Sequence, residues 1–576
     1  MALLLLSALL LVLCASPLCC GAVNRLTAGR LRPLTPRARL RLVAAFSLLG
    51  LLLRAACAAA VPASLSPGEA ALLVQGRRFL QDGLPVATAA SGALPALLSH
   101  LFSLLCFGSV RALRLLPLLL SAATVPLAAL CALPNREEAS PLPVCVAAVF
   151  ALCPFLIQSG AALRPLPFAL FLLTAGAGAG VRGRLTLAGA LLGLACWTLP
   201  GAVVCALPLF AALLLMPPGH RMPPWHGVPP RHGVPPRRGT PPWHGTPPWR
   251  GTPPWRGTPT RRGTPPWRAV LLFALLALLP ACCFLGAALY LPGRRVLGFT
   301  LPELSLPGVE AAWLQGLDAL RPTLIARVDA LLSFEVFRFF SDTPAEGALL
   351  PGMGRALIAF VPVTLAGVFA CLRHPGAVCH PGAGRLPGTV CRPGVGRALL
   401  LWAALTAAGI CLLGIPGEDH LLLLSLPLLF VCAAGVRRLA GRMPAAGAAL
   451  LLFGAVACGQ FLAGWLGAEN AALLQRTHLP GMTEALCAAA ETGAEQIVVA
   501  DCFDLWDSSE DAAKSLAEAA LGRPEERLTV EYLDAESLRP EVLEKRTAYV
   551  LTAEQAGVLG IEPAARFGGF AVVSPR

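Results

Sequence analysis

Long apolar runs recur along this chain, and they restrict its fold more than any other feature of the sequence. They cover residues 42–61, 93–111, 113–133, 142–158, 166–181, 185–216, 269–292, 354–373, 398–416, 421–437 and 444–468. Because lipid offers backbone amides no hydrogen-bond partner, such runs fold as helices, and the run 185–216 is long enough for two passes broken at Pro200. The sequence therefore predicts an α-helical multi-pass membrane protein with about 10–12 transmembrane helices, each crossing roughly 30 Å of hydrocarbon.

The composition supports this class. Of the 576 residues, 56% are hydrophobic and 14% are charged, with a mean hydropathy of +0.68, which is too apolar for water-soluble domains with single cores. The net charge of +14 divides into −10 on residues 469–576, with 19 acidic and nine basic side chains, and +24 on residues 1–468. The basic residues of the larger part lie mainly between apolar runs. We therefore expect a membrane environment and no nucleic-acid partner.

The chain divides into five segments by composition. They are an N-terminal apolar segment with a basic stretch (1–41), a first transmembrane half with a lumenal loop at 62–92 (42–216), a loop of hexapeptide repeats (217–269), a second transmembrane half with a lumenal loop at 293–353 (270–468) and a C-terminal domain (469–576). The basic stretch before the first span is expected to be cytoplasmic. The apolar residues 2–20 are a cleaved signal, a further span or an artefact of the gene model.

The repeats consist of hexads such as Thr-Pro-Pro-Trp-Arg-Gly at 246–251. Proline at two of six positions prevents regular helix and sheet hydrogen bonding, which favours a disordered cytoplasmic loop. A proline-rich ligand or a platform for single-stranded nucleic acid is the alternative interpretation.

The C-terminal segment has the pattern of a small α/β domain. The predicted helices are 484–492 and 508–521, and the predicted strands are 497–500, 528–532 and 549–551.

The sequence contains no pattern for a metal or a nucleotide cofactor. Most of the 20 cysteines lie within apolar runs, where they pack as small residues. No Cys-x-x-Cys pair accompanies a histidine cluster, and the sequence has neither an Asp-x-Asp pair nor a glycine-rich phosphate loop. We expect neither a metal nor a cofactor.

Acidic residues are rare in the membrane part, since residues 1–468 hold 13 of the 32. Glu69 and Asp82 lie in the first loop after the span 42–61. Charged groups at a membrane margin are costly to place and are often functional, although a boundary acid can also be merely hydrated. Both acids are candidate catalytic residues.

Three short elements resemble glycosyltransferase family 22, the dolichol-phosphate-mannose-dependent mannosyltransferases. Arg54 in a span followed by Ser66-Pro67-Gly68-Glu69 is similar to the opening of that family. Pro416-Gly417-Glu418-Asp419-His420-Leu421 is similar to its His-Lys-Glu-x-Arg-Phe motif. Gln475-Arg476 with Met482, followed by Ile497 to Cys502, resembles the subgroup that adds the third mannose to glycosylphosphatidylinositol (GPI).

The resemblance implies a GT-C-like fold and an endoplasmic-reticulum enzyme that transfers mannose from dolichyl-phosphate mannose to a lipid-linked glycan. An acceptor hydroxyl would attack the anomeric carbon while a carboxylate takes its proton. Glu69 is the expected base, with Asp82 second. By charge alone, Arg77, Arg78 or His420 is the expected phosphate contact. Glu418 and Asp419 are expected to orient their loop at a helix start, and Gln475 and Arg476 are further expected substrate contacts.

The chain departs from the family at several positions. Gly68 stands where the family has a first acid, and the aromatic elements expected near 88–94 and 350–356 are absent. The alternatives are therefore a mannosyltransferase of the asparagine-linked glycan pathway, a catalytically inactive relative, and a membrane transporter.

Overall fold

The computed structural model describes a helical part and a small C-terminal α/β domain. The residues described are 35–82, 92–132, 142–215, 266–288, 295–296, 299–300, 360–373, 395–413, 423–442, 455, 458–459, 461–500, 509–521, 529–533 and 546–574. The expectations for the N-terminal segment before residue 35, most of the hexapeptide loop and most of the loop 293–353 lie outside these ranges.

Helices dominate the chain up to residue 478. They are α1 (Pro36–Ala60), α2 (Pro67–Asp82), α3 (Ala93–Leu105), α4 (Val110–Leu113), α5 (Leu115–Cys131), α6 (Leu142–Leu152), α7 (Pro154–Ser159), α8 (Leu166–Val181), α9 (Leu185–Thr198), α10 (Val203–Leu215), α11 (Pro266–Ala288), α12 (Phe360–Arg373), α13 (Val395–Leu413), α14 (Ser425–Arg442) and α15 (Ala468–His478). Two short strands, β1 (Arg295–Val296) and β2 (Phe299–Thr300), pair antiparallel. The bundle core is built mainly of small and branched apolar side chains from α5, α6, α8, α9 and α10.

The outer faces of the bundle are apolar. Leucines that are more than half exposed include Leu40, Leu48, Leu52, Leu104, Leu105 and Leu275. Pro36–Ala60 and the nearly continuous Val110–Cys131 are long and apolar enough to cross a membrane, and shorter apolar helices accompany them. Such faces are suited to lipid, because water disfavours extended apolar surface. The helical part is a membrane domain, and the predicted fold class of a helical membrane protein with a small α/β domain is confirmed.

Local sequence explains where several helices begin and break. α1 begins at Pro36 rather than at residue 42, because Thr35 Oγ1 accepts a hydrogen bond from the Ala38 amide at 3.2 Å and proline suits the first helical position. The run 185–216 is interrupted at Pro200, as predicted, and divides into α9 and α10. α11 begins at Pro266, within the last hexad.

The C-terminal domain is a five-stranded sheet with helices on both faces. Its elements are α16 (Met482–Glu491), β3 (Gln496–Ala500), α17 (Ser509–Leu521), β4 (Thr529–Leu533), β5 (Thr547–Thr552), α18 (Ala553–Val558), β6 (Ala565–Phe567) and β7 (Phe570–Val573). The strand order is β4-β3-β5-β7-β6, with β3 parallel to β4 and β5, and with β7 antiparallel to β5 and β6. The helices and strands predicted for residues 484–551 agree with this sheet to within two residues, whereas α18, β6 and β7 were not predicted.

Helix α2 is packed between the two parts of the molecule. Ala70 is completely buried in the core of the C-terminal domain, while Leu72 packs with Ala96 and other residues of the bundle. At Gly76 the two helices α2 and α3 approach so closely that a Cβ atom would lie 2.1 Å from the carbonyl oxygen of Ala96. Both parts therefore fix the position of α2, whose first turn carries Glu69.

Candidate functional site

A buried ion pair joins the first loop to the membrane bundle. Glu69 and Arg114 are 2% and 3% exposed. Arg114 Nε donates to Glu69 Oε1 at 2.8 Å and Arg114 Nη2 donates to Oε2 at 2.7 Å, which is bidentate geometry. Arg114 also donates to the carbonyl oxygens of Pro62 and Ser64, the latter at 2.7 Å. The guanidinium therefore holds the loop before α2 against the start of α5.

The Ser66 to Glu69 motif has a local structural role as well. The Glu69 amide donates to Ser66 Oγ at 3.3 Å, and the Ser66 amide donates to Glu69 Oε2 at 3.0 Å. This reciprocal pair is a capping box, with Pro67 at the first helical position, where its missing N–H costs nothing. The sequence thus begins α2 at this point and turns the Glu69 side chain back toward the helix start.

The Glu69 carboxylate accepts four hydrogen bonds, because the Leu163 amide also donates to Oε1 at 2.9 Å. Burial alone would raise the pKa of Glu69, but the hydrogen bonds and charge of Arg114, with His478 and the Leu163 amide, together lower the pKa below its usual value. The carboxylate is therefore ionised at neutral pH, as a base requires. Both oxygens are occupied, so an acceptor hydroxyl must replace one of the four donors, and the base role stays a prediction.

Helix α15, which leads into the C-terminal domain, contributes a histidine to the same place. His478, in the last turn of α15, is 6% exposed, and it is close enough to Glu69 and Arg114 for both charges to affect its pKa. Its Nδ1 lies 3.1 Å from the carbonyl oxygen of Leu474. A carbonyl can only accept, so a hydrogen bond to Leu474 requires the tautomer with the proton on Nδ1, in which Nε2 is the lone-pair nitrogen.

The end of the Gln475 to Met482 element packs beside the start of α2. Leu479 and Met482 share the core that buries Ala70, next to Glu69. Gln475 and Arg476 are themselves exposed on α15.

Arg54 forms a second buried polar centre, inside the bundle. Its side chain is completely buried and donates from Nε to Ser121 Oγ at 2.8 Å, from Nη1 to the Gly50 carbonyl at 2.8 Å and from Nη2 to the Phe150 carbonyl at 3.2 Å. These bonds connect α1, α5 and α6. Ser121 lies seven residues after Arg114 on one nearly continuous helix, so the two arginines bind about two turns apart.

The other predicted residues are spread along and beyond α2. Asp82 is the last residue of α2, about 20 Å along the helix from Glu69, so the structure does not bring the two acids together. Arg77 is partly buried. Arg78 pairs with Glu518 of the C-terminal domain, with Nε donating to Oε1 at 3.2 Å. Glu418, Asp419 and His420 lie outside the described residues.

The sequence-based reasoning missed Arg114, Leu163 and His478. Arg114 falls at the start of the predicted span 113–133, and an arginine there was a usable signal, because a buried acid such as Glu69 requires a buried cation. The Leu163 amide carries no side-chain signal at all. Within the described ranges, no group of three or more His, Cys, Asp or Glu side chains is placed to hold a metal ion.

The buried histidine predicts a pH-dependent stability. Burial, opposed by Glu69 and reinforced by Arg114 and Arg164, lowers the pKa of His478 from 6.5 to about 4. The unfolded chain therefore binds more protons than the folded chain between these values, so this stabilisation is complete above pH 6.5 and decreases as the pH falls toward 4, by about 3 kcal/mol. Thermal unfolding of the purified protein across this interval measures the effect.

The matched variant is His478→Gln, which cannot titrate and is expected to flatten the profile between pH 6.5 and 4. Below that interval Glu69 dominates, since its lowered pKa makes the folded state lose stability as the carboxylate is protonated. An identical profile in the variant and the wild type would contradict the assignment to His478.

Comparison with known proteins gives a limited likeness. No family model and no curated protein matches the chain. Among solved structures, the crystal structure of ArnT from Cupriavidus metallidurans bound to undecaprenyl phosphate is similar with a TM-score of 0.48 and 11% identity, over 92% of this chain and 97% of that one. The apo structure of the same protein gives a TM-score of 0.45, with the same identity and coverage. Both scores are low, so the site is interpreted from its own residues.

Proposed function

We propose that this chain is a membrane-embedded glycosyltransferase that uses a lipid-linked sugar donor. In its specific form, it transfers mannose from dolichyl-phosphate mannose to a GPI precursor by an inverting mechanism in the endoplasmic-reticulum membrane. The observation that carries the proposal is the buried Glu69–Arg114 pair, which lies where the bundle, the first loop and the C-terminal domain meet. A buried, ionised acid with a perturbed pKa at such a junction is a functional-site candidate.

The proposed reaction is a single displacement. The acceptor hydroxyl attacks the anomeric carbon, the new carbon–oxygen bond forms as the bond to the lipid phosphate breaks, and the hydroxyl proton passes to Glu69. Phosphate is a good leaving group that keeps the bonding electron pair, and cationic side chains stabilise it. Arg77 and His420 remain the proposed phosphate contacts, and Arg78 would first have to leave Glu518.

The proposed acceptor site includes α15. Gln475 and Arg476 are exposed beside His478, which places polar groups on the side of α15 that faces solvent. Glu418 and Asp419 are proposed to orient the loop before α14. Asp82, at the far end of α2 from Glu69, is proposed to act on a different part of the substrate.

Two observations favour a second candidate, a catalytically inactive relative. Both Glu69 oxygens accept two hydrogen bonds each, which is the arrangement of a structural ion pair. Gly68, the exposed neighbour of Glu69, replaces the acid that the resemblance leads one to expect there. Such a protein would keep the fold and the lipid environment without transferring sugar.

Complementation separates these candidates. The full chain is expressed in cells that lack the third GPI mannosyltransferase, and surface GPI-anchored protein and labelled GPI precursors are measured. The wild type is expected to restore both, whereas the double variant Glu69→Gln, Arg114→Met is expected to restore neither at equal protein level. Glu495→Gln, at an exposed ion pair with Arg546, is the matched control and should behave as the wild type.

Each other outcome has a definite meaning. Rescue only of cells deficient in a mannosyltransferase for asparagine-linked glycans would assign that acceptor instead. Rescue of neither cell line by well-expressed wild type would reject the mannosyltransferase in favour of the inactive relative or a transporter. Full activity of the double variant would remove Glu69 from the base role.

A further inference from the structure

His478 presents an unused hydrogen-bond acceptor in the interior of the protein. Its Nδ1 is committed to Leu474, and the Thr477 hydroxyl lies 3.0 Å from the same nitrogen. Its Nε2 is buried and, among the residues that the structure describes, has no hydrogen-bond partner. Leaving such an atom unpaired costs free energy, so each case in a folded protein requires an explanation.

A second unused polar atom belongs to a residue that contacts the ion pair. Ser64 Oγ is buried and also has no hydrogen-bond partner within the described part of the chain. Its own carbonyl oxygen accepts from Arg114 at 2.7 Å, so the Ser64 residue adjoins the guanidinium directly. The surroundings of the Glu69–Arg114 pair thus contain two polar atoms without a described partner. They are the Ser64 hydroxyl, on the loop before α2, and His478 Nε2, on α15.

The charges around His478 select the kind of group that can bind it. Glu69 neutralises Arg114, while burial and the cations Arg114 and Arg164 oppose protonation of the imidazole. A neutral imidazole with its proton on Nδ1 can only accept at Nε2. A fully ionised phosphate has no hydrogen to donate and does not match, whereas a sugar hydroxyl donates to Nε2 and can also accept from a serine hydroxyl.

We propose that His478 Nε2 accepts a hydrogen bond from a hydroxyl of the substrate saccharide, and that His478 and Ser64 form a saccharide subsite beside the Glu69–Arg114 pair. This inference rests on the proposed function for the identity of its ligand, because either the donor mannose or the acceptor glycan carries the hydroxyl. It assigns His478 to binding and orientation and leaves proton transfer to Glu69.

Nitrogen NMR of the full-length protein tests the subsite without requiring activity. Histidine labelled with ¹⁵N is incorporated, the protein is held in detergent micelles, and the Nε2 signal is assigned by its loss in His478→Gln. Octyl α-mannoside and farnesyl-phosphoryl mannose are expected to move this signal in the direction of hydrogen-bond acceptance. Farnesyl phosphate, which lacks the sugar, is expected to leave it unchanged.

The pattern of responses identifies the source of the hydroxyl. A shift with farnesyl-phosphoryl mannose alone assigns the hydroxyl to the donor, and a shift with octyl mannoside as well extends the subsite to phosphate-free mannosides. The subsite would be overturned if none of the three probes shifted the Nε2 signal, or if farnesyl phosphate shifted it as much as farnesyl-phosphoryl mannose.

Kinetics provide the second readout. His478→Leu removes the acceptor, and we expect KM for the saccharide substrate to rise about tenfold with kcat nearly unchanged, since one hydrogen bond is lost. His478→Gln keeps an oxygen acceptor and is expected to recover most of the affinity.

An unchanged KM in a folded His478→Leu variant would refute the subsite while leaving the transferase intact. An NMR shift in a protein without transferase activity would refute the proposed function and retain the subsite.

Discussion

The variant Glu69→Gln is expected to lose about 3–5 kcal/mol of folding free energy, because it leaves Arg114 charged and buried without its partner. The pair is only 2–3% exposed, and the carboxylate supplies the counter-charge to a guanidinium that also holds the loop before α2. The loss should appear as a lower unfolding temperature of the purified full-length protein in detergent micelles, followed by tryptophan fluorescence.

Two further variants give this expectation its controls. The double variant Glu69→Gln, Arg114→Met should recover much of the lost stability, because no uncompensated charge remains in the interior. Glu495→Gln breaks an ion pair whose members are 71% and 76% exposed, and it should not change the unfolding temperature measurably. If Glu69→Gln unfolded at the same temperature as the wild type, the buried ion pair described above would not exist in solution.

The same contacts explain why loss of activity in Glu69→Gln alone would not identify a base. A single substitution at Glu69 changes charge balance, the cap of α2 and the position of the first loop together. The double variant removes the acid while restoring the charge balance. Loss of activity in a stable double variant would therefore indicate that Glu69 takes part in the reaction. Loss of activity in the single variant would mainly reflect a folding defect.

Helices and strands could be predicted here because their signals are local. The break at Pro200 follows from the fixed backbone angle and missing amide of proline. The strands β3, β4 and β5 follow from short apolar runs such as Ile497 to Ala500 between polar segments. β6 and β7 were missed because three- and four-residue strands give too few alternations to stand out from a loop.

The candidate site could be predicted only in part, because its contacts are distant along the chain. Glu69 could be singled out because the composition of the membrane part includes few acidic residues. Its pairing with Arg114 depends on the packing of α2 against the bundle, and the approach of His478 depends on the docking of the C-terminal domain on Ala70. Neither packing arrangement has a spacing or periodicity that can be read from the residues alone.

The turn that follows His478 provides the second large expected effect. Gly481 has a φ of +94°, and a Cβ atom there would lie 2.3 Å from the carbonyl oxygen of Phe567. Gly481→Ala therefore combines a left-handed backbone that alanine disfavours by about 1–2 kcal/mol with a contact against backbone that cannot rotate away. We expect a total loss of about 3 kcal/mol or more, since the turn must move off the strands β6 and β7.

Gly493 separates the two contributions to this loss. It also has a left-handed backbone, with a φ of +76°, but a Cβ atom there would have no described atom within 4 Å. Gly493→Ala should therefore lose only the backbone contribution, about 1–2 kcal/mol. Unfolding temperatures of the two full-length variants measure the difference. Because the Gly481 turn follows His478, whose pKa the charges of Glu69 and Arg114 affect, only Gly481→Ala should also change the NMR signal of the His478 ring. Equal losses of stability in both variants would mean that the turn does not dock against Phe567, and the placement of His478 beside Glu69 would then lose its structural basis.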